Sequence, residues 1–466
     1  MKKRWISLLM ATLMLGACAS TACDRGKYEE QAPTYVSDKE FYIGMWIGVP
    51  SSLKEYNEQG SVVGTPTPLT EEDYDYHYKL ISEAGFNYVE PGINEYSEAY
   101  NMQVLKAAQK YNLHQYLNDF NINTLLLDTA QEESVVEEKL AKAAAKYMEY
   151  DSFAGLKIRD EPNFKEIAGY AQAKKRFDKV FGKDKIFYMN LVSSIAAPSA
   201  LGSTYKEYVQ EYIDQIGTDY VSYDHYPLKT DPKGNNYILE IFLDNMEQVK
   251  EVAPDKDIWT FLQSIQYSPN NRTLTSVADT TFQMYSFLAY GGAGIQWFCY
   301  WSPPAFSTTE TFGESCIGRD GKPTAIYDYV KQANMEIRSF EDIYLNFEWQ
   351  GVMTKIGTDN EDGGENACFN YLDYKVMDSH ERIKSFRTQQ DTLTGVFKDK
   401  EGRDGFMIVN YTEPSAGLKN KVELQFNDCT HAIVVKKGKQ KEVKAKNGKI
   451  SFTMDAGEGY FVIPLK

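Results

Sequence analysis

Phe153-Ala-Gly-Leu-Lys-Ile-Arg-Asp-Glu-Pro162 is the stretch on which the reading of the chain turns. It reads as a buried strand that ends in two carboxylates and a proline. Leu156 and Ile158 share one parity, while Lys157, Arg159 and Glu161 share the other. Strand side chains alternate between faces, so the apolar pair should meet covering helices and the charged set should face the opposite side. In a closed parallel barrel that side is the interior, and chemistry sits at the carboxyl ends of the strands. Pro162 cannot continue a ladder. The strand is therefore expected to stop there, with Glu161 presented at its end, beside Asp160 and above Arg159.

Working outward, strand and helix patterns alternate with regularity. Strands are expected at 41–48, 86–90, 114–121, 153–162, 185–192, 219–226, 257–264 and 293–301. Helices are expected at 69–85, 102–111, 135–150, 164–181, 205–216, 238–252, 276–290 and 325–340. The first helix opens on a capping Thr70 and the acidic pair Glu71 and Glu72. Such alternation implies parallel crossover units, and eight of them close a (β/α)8 barrel. Beyond about residue 346 the pattern shifts to short alternating runs at 405–410, 422–426, 432–435, 450–454 and 460–464. These are expected to form an antiparallel β-sandwich. The fold class is thus α/β, a (β/α)8 TIM barrel over 39–346 followed by an antiparallel β-sandwich domain over 347–466.

The N-terminus reads as a targeting segment. Lys2, Lys3 and Arg4 precede an apolar run, and Leu15-Gly16-Ala17-Cys18 looks like a bacterial lipobox. A lipoprotein signal peptide is expected over 1–17, lipidation at Cys18, and a polar tether over 18–38. An ordinary secretory signal is the alternative. The expected location is the bacterial cell envelope, at the outer membrane or cell surface, with the lipid anchor as the only contact with membrane. Cys23, Cys299, Cys316, Cys368 and Cys429 show no C-x-x-C spacing, so neither zinc nor any other metal or cofactor is expected. A disulfide among them stays open.

A formal net charge of -16 argues against nucleic acid as a partner, because phosphate binding needs clustered Lys and Arg. Aromatic content is 14%, with 34 Tyr. Most of those rings fill cores, but the number also suits a site that stacks on sugar rings. Collected around the barrel rim are Trp46, Glu90, Asn118, Asp160 with Glu161, Asn190, Asp224 with His225 and Tyr226, Gln263, and Tyr300 with Trp301. Carboxylates, amides and aromatic faces in one bowl are what a carbohydrate partner needs.

Cleavage of a glycosidic bond uses two carboxyl groups, one of which donates a proton to the leaving oxygen. Glu161 is the candidate acid, since a like charge at Asp160 raises a carboxyl pKa while Arg159 opposes it. Asp224 is the candidate second carboxylate, because Ser222, Asp224 and Tyr226 share a parity. The alternatives are a structural Glu161 and an Asp224 that only binds a hydroxyl. Glu90 is a third candidate, or part of a Glu-Pro-Gly turn. His225 has no H-x-H or H-E-x-x-H partner, so a hydrogen-bonding role is expected.

Asp160-Glu161-Pro162 resembles the Asn-Glu-Pro that carries the acid/base of clan A glycoside hydrolases. Gly294-Ile-Gln-Trp-Phe-Cys-Tyr-Trp301, followed by Asp320-Gly-Lys-Pro-Thr324, is similar to the barrel ends of β-galactosidase-like and agarase-like members, which often carry a C-terminal β-sandwich. The resemblance implies hydrolysis of O-glycosidic bonds in a poly- or oligosaccharide. That clan places a nucleophilic Glu at the end of strand seven, where this chain has Gln263. A glutamine cannot ionise. Either Asp224 takes that role, or a water does in an inverting reaction, or the chain is a non-catalytic glycan-binding surface lipoprotein.

Overall fold

The computed structural model describes residues 30–267, 270–307, 309–360 and 365–466. The expected signal peptide, Cys18 and Cys23 lie outside the described residues. The described end of the expected tether is docked. The amide of Glu30 donates to the Lys466 carbonyl at 2.9 Å, its carboxylate meets Arg403, and the Tyr35 hydroxyl donates to Asp399.

The first part of the chain forms β1 (Tyr42–Met45), a hairpin of β2 (Ser52–Tyr56) and β3 (Val62–Pro68), then β4 (Tyr88–Val89), β5 (His114–Leu117), β6 (Phe153–Asp160), β7 (Ile186–Asn190) and β8 (Tyr220–Asp224). A small hairpin of β9 (Leu228–Thr230) and β10 (Asn236–Ile238) precedes β11 (Asp257–Gln263) and β12 (Gly294–Phe298). Two parallel sheets, β4-β5-β6-β7 and β1-β12-β11-β8, make the barrel wall. They join at both seams. Leu191 bonds to Ser222 and Asp224 across β7 and β8, and Asn87 bonds to Ile43 across β4 and β1. Both hairpins are additions that alternation did not signal; β3 is exposed along its whole length.

The barrel is filled, as a closed eight-stranded sheet must be. Trp259 stacks between Tyr42 and Tyr220, each at 4.0 Å between centroids. Above these rings a buried hydrogen-bonded chain climbs toward the carboxyl end. The Gln296 amide donates to the Ser222 hydroxyl, which donates to the side-chain amide oxygen of Asn190, both at 2.9 Å. Leu156, Val221 and Tyr223 face outward into the larger core under the helices.

The C-terminal part is the β-sandwich. It contains β13 (Phe347–Lys355), β14 (Ile383–Thr388), β15 (Thr392–Asp399), β16 (Asp404–Asn410), β17 (Asn420–Phe426), β18 (His431–Lys436), β19 (Lys439–Lys444), β20 (Lys449–Met454) and β21 (Gly459–Leu465). Sheet β13-β15-β16-β21-β18-β19 packs on sheet β14-β17-β20 over an apolar core. Barrel helix Val277–Ala289 is buried on every side from Asp279 onward. An all-round buried helix needs cover on both faces, and the sandwich supplies the second. Gly395 and Gly459 let its strands approach that helix; a Cβ at Gly395 would lie 2.1 Å from the Ala289 carbonyl oxygen.

Candidate active site

A cavity of about 140 Å³ opens at the carboxyl end of the barrel strands. Its lining includes Asp160, Glu161, Asn190, Asp224 and Glu310 among polar groups, with Trp46, Tyr226 and Phe298 among the rings. Strand ends deliver most of these. Asn190 and Asp224 end β7 and β8, Asp160 ends β6, and Trp46 comes directly after β1.

Strand β6 departs from simple alternation. Its register with β7 shifts between Lys157 and Arg159, a bulge that inserts one residue and re-aims the side chains beyond it. Lys157 points inward, where its ammonium meets the Glu90 carboxylate at 2.7 Å and lies 4.7 Å from the Trp46 ring centroid. Arg159, expected inward beneath Glu161, instead faces out and pairs with Glu166 of the next helix at 3.2 Å. Asp160 then turns in, opposite Asn190. Glu161 adopts φ +46°, a conformation that costs a non-glycine residue of order 1–3 kcal/mol. Its amide is tied to the Asn190 carbonyl at 2.9 Å, and the next carbonyl, of Pro162, accepts from the Tyr208 hydroxyl at 2.6 Å. The proline and the strained glutamate together turn the chain so that Glu161 overhangs the cavity.

Glu161 and Asp224 form a hydrogen-bonded carboxyl pair. Two carboxyls in contact must share a proton, as like charges at that range cannot both persist. Burial first, then the charges of Glu161 and Asp160, push the Asp224 carboxyl well above the usual range. Glu161, more open to solvent, is raised by burial and then by Asp160, while the hydrogen bond from Asp224 opposes the rise. Arg159 acts on Glu161 in the lowering direction, behind Asp160. Asp224, the more deeply buried and the more strongly raised of the two, is thus the group favoured to hold the shared proton. The Asn190 amide supports Asp224 from the other side at 3.3 Å, and through Asn190 the pair is continuous with the Ser222–Gln296 chain below.

Glu90 is beneath the cavity rather than in its lining. It is 1% exposed, and burial raises its pKa to about 7 against the opposing pull of Lys157. Its second carboxyl oxygen has no hydrogen-bond partner among the described residues.

Several expected binding residues are turned elsewhere. The Asn118 side-chain oxygen accepts from the Asn123 side-chain amide, and its neighbour Asp119 caps helix Phe120–Leu126, which ends the third barrel strand at Leu117. His225 is on the outward parity of β8. Its Nδ1 donates to Asn245 at 2.8 Å, its ring meets Phe242, and burial lowers its pKa to about 3. Gln263 is fully buried with its amide donating to the Arg272 carbonyl at 2.7 Å, so it secures the loop after β11 rather than meeting the cavity. Strand β12 ends at Phe298. The chain then crosses to β1 through Tyr300 N–H to Trp46 O and Trp301 N–H to Ile47 O. This carries the Tyr300 ring to Phe86 and the Trp301 ring to His77.

The cavity instead uses Phe298, stacked 5.0 Å from Trp46, together with Phe261, Tyr267, Phe306 and Glu310. Phe298 lies on the expected strand, three residues before its expected end. Tyr267, Phe306 and Glu310 come from loops, where no periodicity announces a position. The turn carrying the last two is closed by the Phe306 amide on the Glu310 carbonyl at 2.9 Å. Among the described residues no group of His, Cys, Asp and Glu has the arrangement of a metal site.

No family model and no curated protein matches the chain. Among solved structures it is similar to an Anoxybacillus α-amylase, with a TM-score of 0.50 and 12% identity over 91% of this chain and 98% of that one. That likeness is one of fold. Two looser neighbours are a glycoside hydrolase family 5 protein from Bacteroides vulgatus and a GH30 endoxylanase from Clostridium papyrosolvens. The first has a TM-score of 0.42 and 12% identity over 95% of this chain and 92% of that one. The second has a TM-score of 0.38 and 9% identity over 92% of this chain and 100% of that one.

Proposed function

We propose that the protein hydrolyses O-glycosidic bonds of an oligo- or polysaccharide with the Glu161–Asp224 pair. The observation that carries this reading is the pair itself: two carboxyl groups sharing one proton in a ring-lined cavity at the carboxyl end of a (β/α)8 barrel. Acid-assisted glycoside cleavage needs one protonated and one ionised carboxyl. The α-amylase that shares the fold is itself a glycosyl hydrolase, which supports the same chemistry here.

By sequence alone, the acid role falls to Glu161 and the second role to Asp224. The deeper burial of Asp224 favours the reverse. Asp224 holds the proton and would deliver it to the leaving oxygen, leaving Glu161 to act as base or nucleophile. The two groups are in contact, closer than the ~5–5.5 Å of retaining or the ~6.5–9.5 Å of inverting enzymes. Substrate must part them. Glu161, on a turn at the rim, is the more exposed of the two, whereas Asp224 ends a buried strand.

The test is reducing-end release from a panel of polysaccharides by the wild type and by Glu161→Gln. Release by the wild type and loss in the variant support hydrolysis. A second reading, glycan binding without turnover, is favoured by Gln263, which leaves the seventh strand end without a carboxylate. Binding of an oligosaccharide with no release over long incubation selects it.

We further propose anchoring at the bacterial cell envelope through lipid on Cys18. Labelled palmitate should enter the wild type and not Cys18→Ser, and incorporation into both would contradict the lipobox.

A further inference from the structure

The proposed reaction does not by itself say which sugar enters the cavity, but the charges around it do. Asp160, Glu161, Asp224 and Glu310 line the space, and no Lys, Arg or His is among the described lining residues. Five basic residues of the flanking segments, Lys157, Arg159, Lys229, Arg272 and Arg319, are engaged elsewhere. Lys157 is bound to Glu90, and Arg159 is turned out to Glu166. Lys229 is buried against Asn271, and Arg272 is held between Asp279 and Glu413. Arg319 donates to the carbonyls of Pro303 and Phe312 and faces a separate cleft beyond the loop that carries Phe306. Four acidic groups thus meet the ligand with no cation among them. The aromatic walls provide little screening, so like charges repel more strongly than in open water.

We infer that charge sorts the sugars: the cavity admits a ring without carboxylate or sulfate, and binds one with a free amine more tightly than its neutral parent. An ammonium would meet Asp160 or Glu310 directly, as a charge-assisted hydrogen bond. A uronate would bring another negative charge into a lining that stays anionic even with one proton shared by Glu161 and Asp224. The inference rests on the glycan reading of this same cavity.

The experiment is saturation-transfer NMR with three matched sets of sugars: gluco, galacto and manno, each as the neutral sugar, the 2-amino sugar and the uronate. At low salt, in the set that binds best, the amine should bind more tightly than the neutral sugar, and an amine that gains nothing overturns that half of the inference. The uronate should bind about tenfold more weakly or worse. The gap should narrow as salt rises and in Glu310→Gln. A uronate that binds as tightly as its neutral parent overturns the inference and leaves the glycan reading standing. Absence of binding by every sugar removes both.

Discussion

The carboxyl groups of Asp224 and Glu161 meet in the cavity, and burial together with the neighbouring carboxylates raises both. The contact joins the end of β8 to the turn after β6. It predicts that Glu161→Gln and Asp224→Asn each lower kcat by 10²-fold or more, the usual cost of losing a positioned acid or base. KM for the intact substrate should change less. Steady-state kinetics on any polysaccharide that the wild type cleaves will show it.

The same pair sets a pH dependence. Both carboxyls are raised, so the one-proton state survives above the ordinary carboxylate range and is lost as pH rises through the Asp224 value. Activity should therefore fall on the alkaline side. Asp160 is a cause of the rise in both groups. Asp160→Asn should accordingly move the alkaline limb of the kcat/KM profile to lower pH, and an unmoved limb would show that Asp160 exerts no such influence.

Glu90 predicts a stability effect with the opposite sign to an ordinary surface ion pair. Its folded pKa, about 7, lies above the unfolded value of ~4.3. A raised acid contributes stability that is full below the unfolded pKa and is lost as pH rises through the folded one. Between pH 5 and 7 the wild type should lose up to ~1.4 kcal/mol per pH unit relative to Glu90→Gln. Denaturant melts of both proteins across that window measure the difference.

Gly395 predicts how strongly the two parts of the chain depend on each other. With 2.1 Å between its added Cβ and the Ala289 carbonyl oxygen, Gly395→Ala must shift β15 away from helix Val277–Ala289. Overpacking of this kind costs about 1–3 kcal/mol, so thermal unfolding should occur at a lower Tm. An unchanged Tm would mean that the contact yields without cost.

Much of the fold and part of the site are legible in the sequence. Eight strand–helix units predict a closed barrel, and the parity of Ser222, Asp224 and Tyr226 places Asp224 on the inner face of β8. That parity also sends His225 outward, a consequence that grouping residues by rim position overlooks. The bulge in β6 is not legible, because Ile158 looks like any outward apolar residue until its partner strand is known. It is what turns Arg159 away from Glu161. Strand ends are the other weakness. An aromatic run through Trp301 reads as one strand, although the ladder stops at Phe298 and hands Tyr300 and Trp301 to the core. Asp119 shortens β5 in the same way by becoming a helix cap.

The assignment of roles within the pair is tested most directly by leaving-group dependence. A glycoside with a dinitrophenolate leaving group departs without protonation, so it needs the base or nucleophile but not the acid. Asp224→Asn should retain most of the wild-type rate on that substrate while losing hydrolysis of the natural linkage, and Glu161→Gln should lose both. Full turnover of both substrates by Glu161→Gln would contradict the account.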